Sequence, residues 1–193
     1  GRLRGRLIPA EARNLPLRHK QYARSSDPNF CLEISRAIVA GKLRNCRTLA
    51  RRMMRGKKSQ IPNSKTQSGG EMARLTAALA RVAAAKDLAE LRGLEGTGSK
   101  AYFAILKSAL RAELSFEKRT RRPPKDAANA LLSLAYSLLT NAVFTACEVA
   151  GLDAYDGFFH ADKYGRPALA LDLVEEFRPI VADSVVLTLL NNE

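Results

Sequence analysis

"DAANALLSLAYSLLTNAVFTACEVAG", Asp126 to Gly151, decides the fold class. Asp126 is a helix N-cap residue by type, and Gly151 is the residue that most readily adopts the left-handed conformation ending a helix. No charge falls between Ala127 and Cys147, a window of 21 residues that is long enough to cross a bilayer. Asn129, Ser133, Ser137 and Asn141 recur every four residues, with Thr145 next in step, so one face of the helix is polar. A helix apolar on most sides with one polar stripe suits a protein core facing a site. The expectation is a core helix and no membrane partner.

The flanks repeat the helical theme. "SSDPNF" places Asp27 as N-cap and Pro28 at the first helical position. Leu32, Val39, Cys46 and Met53 then recur every seven residues, with Leu43 and Ala50 between, to about Arg55. Gly41 lies inside this run and is expected to weaken it locally. Residues 56–70, "GKKSQIPNSKTQSGG", read as a mobile loop. Helix resumes at Glu71, with Met72, Leu75, Leu79 and Val82 on one face. Asp87 caps a short helix, and another follows a Gly-rich start near Gly93–Gly98. Residues 151–166 read as a loop, and a last helical stretch starts near Ala168 with Pro179 as a kink or boundary. Only "GRLRGRLIPA" alternates at period two, like a strand without its sheet. The class is all-α. Residues 1–17 read as a remnant or linker from a missing domain, which the family resemblance given below implies to be β-rich, and 18–193 as one helical domain.

Composition narrows the function. The net charge of +13 is unevenly spread. Residues 1–58 carry 16 Lys/Arg against 3 Asp/Glu, whereas residues 126–193 carry 3 against 10. A basic half attracts polyanions, and an acidic end is what a divalent cation needs. Three cysteines with no C-x-x-C pair support neither a disulfide framework nor a zinc knuckle. The natural setting is reduced and cytoplasmic, and the N-terminus lacks the apolar stretch of a signal peptide. The missing initiator methionine suggests a fragment of a longer protein. No P-loop or dinucleotide fingerprint is present.

Asp172 and Glu175 are three apart and share a helix face, with Glu176 able to join them. Carboxylates among Leu169, Leu171, Leu173, Val174 and Phe177 need a compensating cation. Arg178 supplies one through a simple i, i+3 pair with Glu175, and His160 after two phenylalanines is equally explained as a packed core residue. A metal site is the alternative for both.

Five blocks carry a resemblance: "AIVAGKLRNCRTLARR", "GLEGTGSKAYF", "RTRRPPKDAANALLSLAYSLL", "GLDAYDGFFHADKYGRPALALDLVEEFRP" and "VLTLLN". In that order they resemble the CRISPR-associated adaptation integrase, the metal-dependent endonuclease that inserts new spacers into CRISPR arrays. The resemblance spans about Tyr22 to the end and implies the helical catalytic domain of that family. It implies metal ligands and catalytic residues at Glu95, His160 and Glu175, with Asp172 as a further acidic residue nearby. The three side-chain tips are then expected within about 5 Å of a common point. It also implies a homodimer and a small companion adaptation protein. Two carboxylates and an imidazole suit Mg²⁺ or Mn²⁺. Such an ion polarises a phosphoryl oxygen and activates a hydroxyl for phosphodiester transesterification. Arg44, Arg47, Arg51, Arg52, Arg55, Lys57 and Lys58 form one basic cluster, joined by Lys42. Arg119, Arg121 and Arg122 head a second, with Lys118 and Lys125. Neither is interleaved with aromatics, so phosphate contacts with little sequence readout are expected on DNA. The competing readings are a catalytically inactive helical DNA-binding or assembly module and a metal-independent protein-interaction domain.

Overall fold

The computed structural model describes residues 14–56, 64–111, 116–120, 123–161 and 163–192. Among them every regular element is helical and there is no strand. The strand expected at residues 1–10 lies outside the described residues. The order is α1 (Leu15–Ser25), α2 (Pro28–Gly56), α3 (Ser64–Arg81), a 3₁₀ turn (Val82–Ala84), α4 (Leu88–Ala109), α5 (Ala127–Ala150), α6 (Ala168–Phe177), a π-helical turn (Arg178–Asp183) and α7 (Ser184–Asn192).

The caps read from sequence are in place. The Asn29 N–H donates to the Asp27 carboxylate at 2.9 Å, and the Asn129 N–H to Asp126 at 2.7 Å. Gly151 ends α5 at φ 84°, a conformation that disfavours side chains. α2 is the central strut, with Val39, Leu43, Cys46 and Ala50 buried as the seven-residue pattern requires. Around it Leu75 and Val82 of the α3 region, Leu91, Tyr102 and Ile105 of α4, and Leu132 of α5 form the main core. Phe144, Cys147, Ala154, Leu169 and Ala170 form a smaller core where α5 meets α6.

Four expectations change. Helix α1 begins inside the stretch read as linker, capped by Asn14 with a proline in its first turn. The hydrophobic pattern misses it because its one buried residue is Gln21. The loop read over 56–70 is helical from Ser64 onward. The Ser68 and Ser108 hydroxyls, 3.3 Å apart, tie that end of α3 to α4. The glycines near Glu95 do not start a helix but lie inside α4, which runs unbroken from its Asp87 cap. Each glycine costs a helix interior about 1 kcal/mol, and burial of Leu91, Leu94, Tyr102, Ile105 and Leu106 along α4 outweighs it. Finally, Gly41 is a contact point. A Cβ there would sit 1.5 Å from Glu176 Oε1, so the missing side chain leaves room for the Glu176 side chain over α2.

Helix α5, uncharged up to Cys147, remains the one described helix long and apolar enough to cross a membrane by length and composition. Its polar stripe is buried only at the start: Asn129 is fully buried and Ser133 half-buried, while Ser137, Asn141 and Thr145 are exposed. Leu134, Leu138 and Val149 are exposed as well, so α5 is a partly covered helix rather than an enclosed one.

Candidate functional site

The loop between α5 and α6 is shaped by one carboxylate. Asp172, on α6, is completely buried. It accepts the backbone N–H groups of Phe158, Phe159 and His160 at 2.7, 2.9 and 3.0 Å. Its Oδ1 also lies 2.6 Å from His160 Nδ1. The loop therefore closes around Asp172 as a nest of amides closes around an oxyanion. Gly157 makes this possible, because a Cβ there would stand 2.7 Å from the Ala168 backbone and 2.9 Å from the Asp172 carboxylate. Gln21 braces the far side. Its amide donates to the Asp153 and Asp156 carbonyls at 2.8 Å each and accepts from the Asp153 N–H. With Nδ1 held by Asp172, Nε2 is the ring nitrogen left for a ligand.

One helical turn on, Glu175 points toward α2 and α4. The Lys42 ammonium stands between it and Glu95. It donates to Glu95 Oε1 and lies 2.6 Å from Glu175 Oε2. Glu95 Oε1 also accepts the Ser99 hydroxyl at 2.7 Å. Arg178 pairs with the other Glu175 oxygen, the i, i+3 contact the spacing allows. Burial alone would raise the Glu175 carboxyl. The Lys42 and Arg178 charges outweigh it and hold the group below the usual carboxylate range, with a smaller effect from His160. Burial pulls Lys42 the other way, and the two glutamates overcome it and raise the ammonium.

Beside this pair lies a cavity of about 320 Å³, lined by Lys42, Glu95, Arg119, Tyr136, Arg178 and Asp183 among others. The Tyr102 and Tyr136 hydroxyls each donate to Asp183 at 2.6 Å. Burial pushes the Asp183 carboxyl up, against the pull of those two hydrogen bonds. The π-helical turn places Asp183 and Arg178 on this wall, and Pro179, which lacks an N–H, sits in it. Cys46 also lines the cavity, but burial pushes its thiol far up, which removes it as a nucleophile.

The residues singled out in the sequence fall into two linked pairs rather than one triad. Glu95 and Glu175 meet on Lys42, and His160 meets Asp172. Among the described residues no three His, Cys, Asp or Glu side chains form a group set to hold a metal ion. The Lys42 ammonium fills the space between the two glutamates. The donor set nevertheless fits a hard divalent cation. It offers two carboxylates and an imidazole. Glu175 Oε2 is buried against the Lys42 ammonium at 2.6 Å, so an ammonium already stands in for a cation.

Two basic residues read as surface cluster members turn inward. Lys42 is the site's counter-ion. The Arg119 guanidinium donates to Asn129 Oδ1 at 2.9 Å and Ser133 Oγ at 3.0 Å, and packs over the Tyr136 ring. Its charge anchors the start of α5 rather than facing a phosphate. Arg44, Arg51, Arg52 and Arg55 are exposed on α2, and Arg47 is half-buried. Lys57, Lys58, Arg121 and Arg122 lie outside the described residues. No local signal marks Lys42, Asp183, Tyr102 or Tyr136 as a group, because they come from four elements.

Known proteins resemble the chain in sequence and in fold. The family described as "CRISPR associated protein Cas1" matches residues 1–193. The CRISPR-associated endonuclease Cas1 of Leptospira interrogans is 41% identical over 180 residues, which cover 92% of this chain and 70% of that protein. A casposase solved bound to its integration product superposes with a TM-score of 0.81 at 26% identity, over 96% of this chain and 50% of that one. The partial Cas6-RT-Cas1–Cas2 complex gives a TM-score of 0.77 at 29% identity, over 89% and 49%. The chain spans about half the length of many relatives it matches.

Proposed function

The chain belongs to the Cas1 family of CRISPR-associated proteins, and on that premise we propose that it is the catalytic domain of a metal-dependent DNA endonuclease and integrase. The observation that carries this reading is the meeting of Glu95 and Glu175, from two distant helices, on one buried cation. Glu95, Glu175 and His160 would hold Mg²⁺ or Mn²⁺, and Asp172 would orient the imidazole. When bound, the ion would polarise the scissile phosphoryl group and make a hydroxyl nucleophile available near neutral pH. That hydroxyl is water in cleavage and the 3′-hydroxyl of an incoming DNA end in integration. Asp172 fixes the His160 ring through Nδ1, and Arg178 keeps Glu175 ionised inside the fold. The exposed arginines of α2 would take the DNA backbone. A homodimer and a small companion protein complete the assembly we envisage, the latter in keeping with the solved Cas1–Cas2 complex.

The reading is tested by Mn²⁺ binding and Mn²⁺-dependent DNA cleavage in the wild type and in His160→Ala. Loss of both in the variant is the expected result. Metal binding indifferent to His160, with DNA binding intact, would instead make the chain a non-catalytic DNA-binding or assembly module.

The DNA surface has a separate test. Replacing Arg51, Arg52 and Arg55 together by alanine is expected to flatten the dependence of affinity on salt. Every phosphate that the variant no longer neutralises lowers the log–log slope by about 0.9. Affinity should fall equally for unrelated DNA sequences. A slope unchanged in a titration from low to moderate salt would assign these residues to solvated surface.

A further inference from the structure

The two glutamates have cationic partners without any metal. Glu95 and Glu175 are matched by Lys42 and Arg178, and the side chains of Lys42, Glu175 and Arg178 are 12%, 6% and 12% exposed. A divalent ion placed between Glu95 and Glu175 would stand against the Lys42 ammonium that already fills the gap, and like charges that close repel strongly where water is excluded. One of the two cations has to go. Arg178 is hemmed in. It sits one turn from Glu175 on the same backbone run, with its guanidinium over the Tyr136 ring at 4.9 Å. Its planar fork is committed to that geometry. Lys42 is a point charge on a flexible four-carbon stem. Its side chain also lines the 320 Å³ cavity, whose far wall presents the Asp183 carboxylate. It has a path out and an anion to move toward.

We propose that Lys42 is a displaceable internal counter-ion: it neutralises the Glu95/Glu175 pair in the metal-free protein and swings into the adjoining cavity when a divalent metal loads. The inference rests on the metal-site reading above. It makes Lys42 a positioning residue that sets the metal affinity and keeps the two carboxylates from springing apart before the ion arrives. Metal affinity in the wild type is lowered by the fraction of molecules in which Lys42 occupies the gap.

The test compares the wild type with Lys42→Met and Lys42→Gln by Mn²⁺ titration, followed by electron paramagnetic resonance, and by thermal melting with and without Mn²⁺. If Lys42 occupies the gap in about nine molecules of ten, its removal tightens Mn²⁺ binding by about tenfold. The variants should melt lower than the wild type in chelator and gain more from Mn²⁺ than the wild type does. A merely structural lysine would lower the melting temperature and weaken metal binding together. A second readout needs no substitution. The Lys42 ammonium, shielded in the metal-free wild type, should give a slowly exchanging nitrogen–proton signal that shifts or vanishes on saturation with diamagnetic Mg²⁺. Variants that bind Mn²⁺ no tighter than the wild type, or a Lys42 signal unchanged by saturating Mg²⁺, overturn the inference and leave the metal site standing. No Mn²⁺ binding to the wild type or to either variant overturns the metal reading and this inference with it.

Discussion

Glu175→Ala is expected to lose Mn²⁺ binding and DNA cleavage outright, with no rescue at high metal. Glu175 turns a buried oxygen to the Lys42 ammonium, and its removal takes away one of the two carboxylates facing the gap. It also strips Lys42 and Arg178 of their shared partner. Breaking a buried pair by deleting one member costs about 3–5 kcal/mol, because the remaining charge stays desolvated. The control is Glu175→Gln, which keeps the shape and changes the charge. If the alanine variant is folded by circular dichroism yet binds Mn²⁺ like the wild type, Glu175 is not a ligand.

Asp172→Ala should fail differently. Its carboxylate gathers three backbone N–H groups and the His160 ring, so the substitution leaves several buried donors unmatched at once. Each such donor costs about 1–3 kcal/mol. Even two of them would lower the melting temperature by roughly 4 °C or more for a chain of this size. Metal affinity should fall by about 10–100-fold, the usual effect of losing an orienting outer carboxylate. Excess Mn²⁺ should restore part of the activity in protein kept below its melting transition. If Asp172→Ala cannot be rescued by metal while Glu175→Ala can, the two carboxylates have been assigned the wrong way round.

The difference between these two residues shows what a sequence carries and what it does not. Spacing put Asp172 and Glu175 on one helix face, and family resemblance assigned one as ligand and the other as neighbour. Nothing in the spacing revealed that Asp172 organises a loop, because its partners are amides, which every residue but proline has. Helices α2 and α5 were legible because their signals are local: an Asp27–Pro28 start, an Asp126 cap, a Gly151 stop. Helix α1 was not, since the residue it buries is a glutamine that hydrogen-bonds a distant loop. The continuity of α4 was missed because glycine's local cost was weighed without the packing that offsets it. Lys42 looked like one more cation in a basic run. Its meaning depends on Glu95 and Glu175, whose approach is set by the packing of α2, α4 and α6.

That packing has a consequence for the life of the chain during its synthesis. Lys42 and Glu95 are made early and Glu175 comes 80 residues after Glu95. At about 5–20 residues per second, the ribosome releases the second carboxylate roughly 4–16 s after the first. Until α6 emerges, the nascent polypeptide holds Lys42 and Glu95 without the second carboxylate that they meet in the folded chain. On the function proposed above, a half-made chain in a polysome crowded with RNA would therefore carry no assembled site.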